Sequence, residues 1–147
     1  MRIYLDTSVY NRPFDDQGQP RIYLETLAFG VILQMVEEGE VELVSSIVAE
    51  YENSQNPFPL RKAWVARCLE LHKDRVGISR DIIERAGRLE ADGIIALDSL
   101  HLACAEVAGA EYFLTCDDRV MGRYAGSLKV LNPVDVVVSV VGVQPWQ

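Results

Sequence analysis

Arg2-Ile3-Tyr4-Leu5-Asp6-Thr7-Ser8 is the stretch on which the fold turns. A short apolar run closed by a carboxylate and two hydroxyls reads as a buried strand whose C-terminal end opens onto solvent. Tyr112-Phe113-Leu114-Thr115-Cys116-Asp117 repeats that design far along the chain. Val41 to Ser45, Arg75 to Ile78 and Leu128 to Leu131 read as further short strands. Helical signals fill the intervals. Arg21 to Glu38 carries Leu24, Leu27, Ala28, Val31, Ile32, Met35 and Val36 at helical spacing and ends at Gly39. Ser46 is placed to cap a helix through Asn53, and Ser79 to cap one over Ile82 to Ala91. Leu60 to His72 resumes as a helix after the break at Asn56-Pro57-Phe58-Pro59, and Ile95 to Ala108 forms another before Gly109. Asn11 to Pro20 reads as a long loop, and Pro133 opens a final apolar segment.

Strands that alternate with helices predict a parallel sheet covered on both faces. The expected class is α/β, a three-layer α/β/α arrangement with a central, mostly parallel sheet. Residues 1–147 fit one domain, long enough to bury a core. In such sheets the functional crevice lies beyond the carboxyl ends of the strands, where Asp6 and Asp117 fall.

Composition narrows the function classes. No signal-peptide core follows Met1, and Val134 to Val143, the most apolar stretch, is far below the roughly 20 residues of a membrane helix. A soluble, cytoplasmic protein without membrane contact is expected. Cys68, Cys104 and Cys116 lack paired spacing and read as small buried residues, which excludes a disulfide framework or a zinc ribbon. Only His72 and His101 could supply imidazole, so a metal here would take oxygen ligands, as Mg2+ and Mn2+ do. The net charge of −8 disfavours non-specific nucleic-acid binding, yet residues 61 to 88 are net +4, which reads as a solvated helical face or, alternatively, as arginines that hold a phosphate backbone.

The acids carry the chemistry. Asp6 and Asp117 close strands, and Asp118 and Arg119 follow directly, so one of the two aspartates faces the crevice and the other caps a helical turn. Asp98 interrupts a helix that is apolar nearly all round, with Leu97, Leu100, Cys104 and Val107 on one stripe and Asp98 away from it. An unpaired buried carboxylate is costly, so Asp98 requires a metal or an arginine. His101 shares its face, either as a satisfied structural histidine or as a group supporting the site. Glu50 and Glu52 are two residues apart on one short helix, so only one of them turns inward. Two like charges ~4 Å apart at an effective dielectric of ~20 repel by roughly 4 kcal/mol, so converging carboxylates call for a cation.

In this order, Leu5-Asp6-Thr7-Ser8, a glutamate after Ser46, Asp98-Ser99-Leu100-His101-Leu102-Ala103 and Phe113-Leu114-Thr115-Cys116-Asp117 resemble the PIN-domain family of metal-dependent ribonucleases. That family includes the VapC-type toxins of toxin–antitoxin pairs. The resemblance implies an RNA-hydrolysing enzyme in which Asp6, Asp98 and Asp117 hold Mg2+ or Mn2+ and the second acid completes the pocket. The family's spacing from Ser46 lands on Glu52, with Glu50 as the fallback, and its Thr-x-Asp motif selects Asp117 over Asp118. Thr7 or Ser8 is expected to hydrogen-bond a carboxylate or phosphate oxygen. RNA as substrate, a cognate antitoxin and a homodimer partner are implied in the same way. Two other readings use the same acids: a binding module in which they hold metal or a partner without turnover, and an aspartyl-phosphate phosphatase with Asp6 as nucleophile. Ser8, where that chemistry wants a second aspartate, counts against the phosphatase.

Overall fold

The computed structural model describes residues 1–142. Five strands form one wholly parallel sheet: β1 (Arg2–Leu5), β2 (Glu42–Ser46), β3 (Asp74–Val76), β4 (Tyr112–Leu114) and β5 (Lys129–Leu131), in the spatial order β3-β2-β1-β4-β5. β1 is central, with Ile3 opposite Leu43 on one side and Tyr112 on the other. The helices are α1 (Thr7–Asn11), α2 (Pro20–Glu37), α3 (Ile47–Ser54), α4 (Pro59–Leu69), α5 (Arg80–Ala91), α6 (Ala96–Val107), α7 (Asp118–Arg123) and α8 (Pro133–Val136).

Alternation along the strands divides the core into two halves. Ile3, Leu5, Leu43 and Leu114 pack with Val9 and Tyr10 of α1, Phe29 and Ile32 of α2, Val65 of α4 and Val136 of α8. Tyr4, Val44 and Phe113 face the other way, onto Ile82 and Leu89 of α5 and Leu102 to Ala105 of α6. This is the three-layer α/β/α architecture. Strand order reverses beside β1, because the chain proceeds from β1 outward to β3 and then returns to lay β4 on the opposite edge of β1. The crevice of such a sheet opens beyond the carboxyl ends at that switch, here past Leu5 and Leu114.

Gly39 and Gly109, at φ +78 and +71, end α2 and α6 in the left-handed conformation that glycine adopts without a Cβ penalty. Ser46 and Ser79 accept hydrogen bonds from the N–H groups of Ala49 and Ile82 and so cap α3 and α5. Three expectations need correction. The loop expected from Asn11 holds a 3₁₀ turn over Arg12–Phe14, seeded by Pro13 at its start. The stripe expected on α2 is rotated: Leu24 and Leu27 are half exposed, at 52% and 49%, while Ile22, Glu25, Ala28, Phe29, Ile32 and Met35 are buried. Glu25 is tolerated inside because Arg12, Arg21 and Asn132 all donate to its carboxylate. On α6, Val107 is exposed, because β2, α3 and α5 cover the face of Ser99 and His101 to Ala105 instead. The final apolar segment continues α8 as a π-helical turn over Val137–Gly142, and Val143 lies outside the described residues. No helix among the described residues is long and apolar enough to cross a membrane.

Candidate active site

Asp6 leaves the end of β1 with its backbone N–H donating to the carbonyl of Leu114, 2.9 Å away. Its side chain is nearly buried and its Oδ2 accepts from Ser8 Oγ at 2.7 Å and Thr115 Oγ1 at 3.0 Å. Those hydroxyls also join the strand ends to each other. Ser8 Oγ accepts from the N–H of Cys116, and Thr115 Oγ1 accepts from the N–H of Asp117. The carboxylate is thereby fixed in place before any ligand arrives.

Of the two glutamates on α3, Glu52 lies in the crevice and Glu50 does not. Thr7 Oγ1 donates to Glu52 Oε1, and His101 Nε2 lies 2.9 Å from the same oxygen. Burial works to raise the Glu52 carboxyl, but the hydrogen bonds from His101 and Thr7 outweigh it and hold it below the ordinary range. Glu50 instead takes a bidentate ion pair from Arg75, at 2.7 and 2.6 Å. Position 52 follows 50 by two steps around the helix, so the two side chains diverge. The same kind of division separates the neighbouring aspartates. Asp117 caps α7 through the N–H of Arg119 and holds that arginine's guanidinium, whose hydrogen bonds keep its carboxyl below the usual range. Asp118 is exposed and pairs with Arg21 at 2.8 and 2.7 Å, outside the crevice.

Asp98 stands in the first turn of α6, half buried. Among the described residues it has neither a hydrogen bond nor an ion pair to a cation. Burial pushes its carboxyl up to about 6, and the negative charges of Asp6, Asp117 and Glu52 add to the shift while His101 opposes it. From Asp98 and Asp117 a cleft continues past Ile95, Val120, Arg119 and Arg123.

Asp6, Glu52 and His101 each bring one potential ligand atom within 4.8 Å of the other two. Both nitrogens of His101 have partners already, Tyr4 OH at 2.7 Å and Glu52, so the donors left for a metal are carboxylate oxygens. An oxygen-only set with surplus negative charge fits a hard divalent cation. Arg75 and Arg85, two of the arginines in the net-positive stretch from 61 to 88, are held by Glu50 and Glu106. Sequence reasoning passed over Thr115 and Arg119 as site residues, although both sit inside the quoted fourth stretch or beside it. It also passed over Tyr4 and Ser46, because an aromatic residue in a strand and a capping serine are ordinary structural features.

Comparison with known proteins agrees with the fold. The PIN domain family model matches residues 3–127. Among solved structures, VapBC2 from Rickettsia felis bound to a DNA fragment from their promoter is similar at a TM-score of 0.58 and 15% identity, covering 90% of this chain and 98% of that one. A toxin–antitoxin complex from Klebsiella pneumoniae is similar at a TM-score of 0.55 and 18% identity, covering 89% and 97%. No curated protein sequence matches. With the family model spanning most of its length and the fold shared with these structures, the chain belongs to the PIN domain family.

Proposed function

We propose that the protein is a metal-dependent endoribonuclease, with Asp6, Asp98 and Asp117 holding Mg2+ or Mn2+ and Glu52 completing the acidic pocket. The observation that carries this reading is Asp98: a half-buried carboxylate pushed up to about 6 by burial and by its acidic neighbours, with no cation of its own among the described residues. A bound divalent ion supplies the missing positive charge, lowers the pKa of a water molecule and neutralises charge that develops on the scissile phosphate.

The chain's own residues do the rest. Ser8 and Thr115 fix Asp6 through its Oδ2. Thr7 and His101 hold Glu52 as an anion, available to accept a proton from the attacking water. Arg119 and Arg123 line the cleft beside Asp98 and Asp117, where a polyanionic strand enters. Family membership and the two toxin–antitoxin neighbours support a VapC-like role with a cognate antitoxin as partner. The exposed Tyr23, Leu24 and Leu27 of α2 give such a partner, or a second copy of the chain, an apolar surface.

The test is cleavage of a mixed pool of single-stranded and structured RNA with Mn2+, Mg2+ or EDTA, comparing wild type with Asp98→Asn. The expected result is metal-dependent cleavage that the variant loses. Undiminished cleavage by Asp98→Asn, or cleavage unaffected by EDTA, refutes the assignment.

A further inference from the structure

A chain of hydrogen bonds runs from the acidic pocket into the middle of the sheet. Ser46, the last residue of β2, accepts from the N–H of Ala49 at 3.3 Å, and its Oγ lies 2.5 Å from Tyr4 OH. Tyr4 OH lies 2.7 Å from His101 Nδ1, and His101 Nε2 lies 2.9 Å from Glu52 Oε1. Tyr4, Ser46 and His101 are completely buried.

The direction of these bonds follows from chemistry. A carboxylate can only accept, so Nε2 carries the proton. Nδ1 is left to Tyr4, whose hydroxyl both donates and accepts and so serves that nitrogen whether the ring is neutral or protonated. With a neutral ring every donor points the same way: Ala49 to Ser46, Ser46 to Tyr4, Tyr4 to His101, His101 to Glu52. The Tyr4 ring stacks on Phe113 with centroids 5.4 Å apart, a contact phenylalanine would make equally well. The hydroxyl therefore has a separate role, and burying it is favourable only because it is paired. At the far end, Thr7 and His101 both bond Oε1 of Glu52, and Oε2 accepts no hydrogen bond among the described residues.

We propose that Tyr4 and Ser46 are positioning residues for Glu52: they hold His101 with Nε2–H on Oε1, and so reserve Oε2 of Glu52 for the reaction. The effect on turnover rests on the nuclease reading; the placement of the proton does not.

Two measurements test it. In protein labelled with 15N-histidine and carrying His72→Gln, only His101 gives imidazole signals. Nε2 is expected to carry the proton of the neutral ring, and adding Tyr4→Phe is expected to shift the Nδ1 resonance, because that nitrogen loses its donor while Glu52 still holds Nε2–H. In RNA cleavage with Mn2+, Tyr4→Phe is expected to lower kcat about tenfold with KM unchanged, the scale of losing an outer hydrogen bond to a metal-site side chain. His101→Ala loses more, and combining it with Tyr4→Phe adds nothing, because Tyr4 acts through His101. His101→Gln, whose amide can donate to Oε1, recovers activity relative to His101→Ala. A neutral His101 protonated on Nδ1 overturns the proposal. So does wild-type kcat in Tyr4→Phe, or a further loss in the double variant, which a packing role predicts. Absence of cleavage by the wild type would refute the nuclease reading, and the tautomer measurement would still decide the position of the proton.

Discussion

Replacing Asp98 by asparagine should make the metal-free protein more stable. Asp98 has its carboxyl raised from an ordinary 3.8 to about 6, by burial first and by the charges of Asp6, Asp117 and Glu52. A shift of about two pKa units corresponds to about 3 kcal/mol between the two protonation states. Half the group still meets solvent, and screening reduces the figure to about 1–2 kcal/mol. The sign follows from linkage. The unfolded carboxyl ionises more readily than the folded one, so the wild type loses stability as pH rises from about 4 to about 6 and stays lower above that. Asparagine keeps the shape and removes the charge. In EDTA at neutral pH, Asp98→Asn should melt about 2–8 °C above wild type, at about 2–4 °C per kcal/mol for a chain of this size. Near pH 4 the two melting curves should coincide. Adding Mn2+ should raise the wild-type midpoint and leave the variant nearly unmoved. A variant that melts below wild type in EDTA at neutral pH would refute the reasoning, since Asp98 would then have a favourable partner.

Other substitutions divide the site from its surroundings. Glu52→Gln should slow RNA cleavage by about 100-fold or more, the range for losing a general base, while Glu50→Gln stays within about twofold of wild type in the same initial-rate assay. Glu25→Ala should destabilise by about 3 kcal/mol in urea melts, because it leaves Asn132 and the inner end of Arg12 without their partner. Burial raises the Glu25 carboxyl, but the bonds from Asn132, Arg12 and Arg21 win and lower it. Its stabilisation is thus present at neutral pH and fades as the medium turns acid, so the gap between the melts should narrow there. Burial pushes the Cys68 and Cys104 thiols up to about 11 and Cys116 up to about 12. All three should resist a thiol-specific reagent until denaturant is added.

The three inner strands β1, β2 and β4 were legible because each is a short, largely apolar run with a break beside it: Asp6 after Leu5, Gly39 before Val41, Thr115 after Leu114. Caps at Ser46 and Ser79 were equally plain, since local chemistry dictates them. Glu25 was not legible. Its partners Arg12 and Asn132 come from a 3₁₀ turn and from the loop after β5, and sequence spacing cannot show that these two separated donors meet one carboxylate. The same limit governed the site. Glu52 and Glu50 have similar neighbours in sequence; the family's spacing favours Glu52, and the opposed positions of Arg75 and His101 separate the two in space. Tyr4 was hidden for a different reason, since its ring fully accounts for its position and says nothing about its hydroxyl.

The place of β1 at the centre of the sheet also governs when the protein becomes competent. Asp6 and Thr115, which share a hydrogen bond, are 109 residues apart. Ile3 cannot pair with Tyr112 until β4 has been synthesised. Closing so long a loop is slow, and parallel pairing offers no local shortcut. A nascent chain that ends before β4 has one bare edge on β1, and Asp6 there lacks Thr115 while Asp117 does not yet exist. On the nuclease reading, the blade cannot be assembled until the ribosome has made β4 and Asp117.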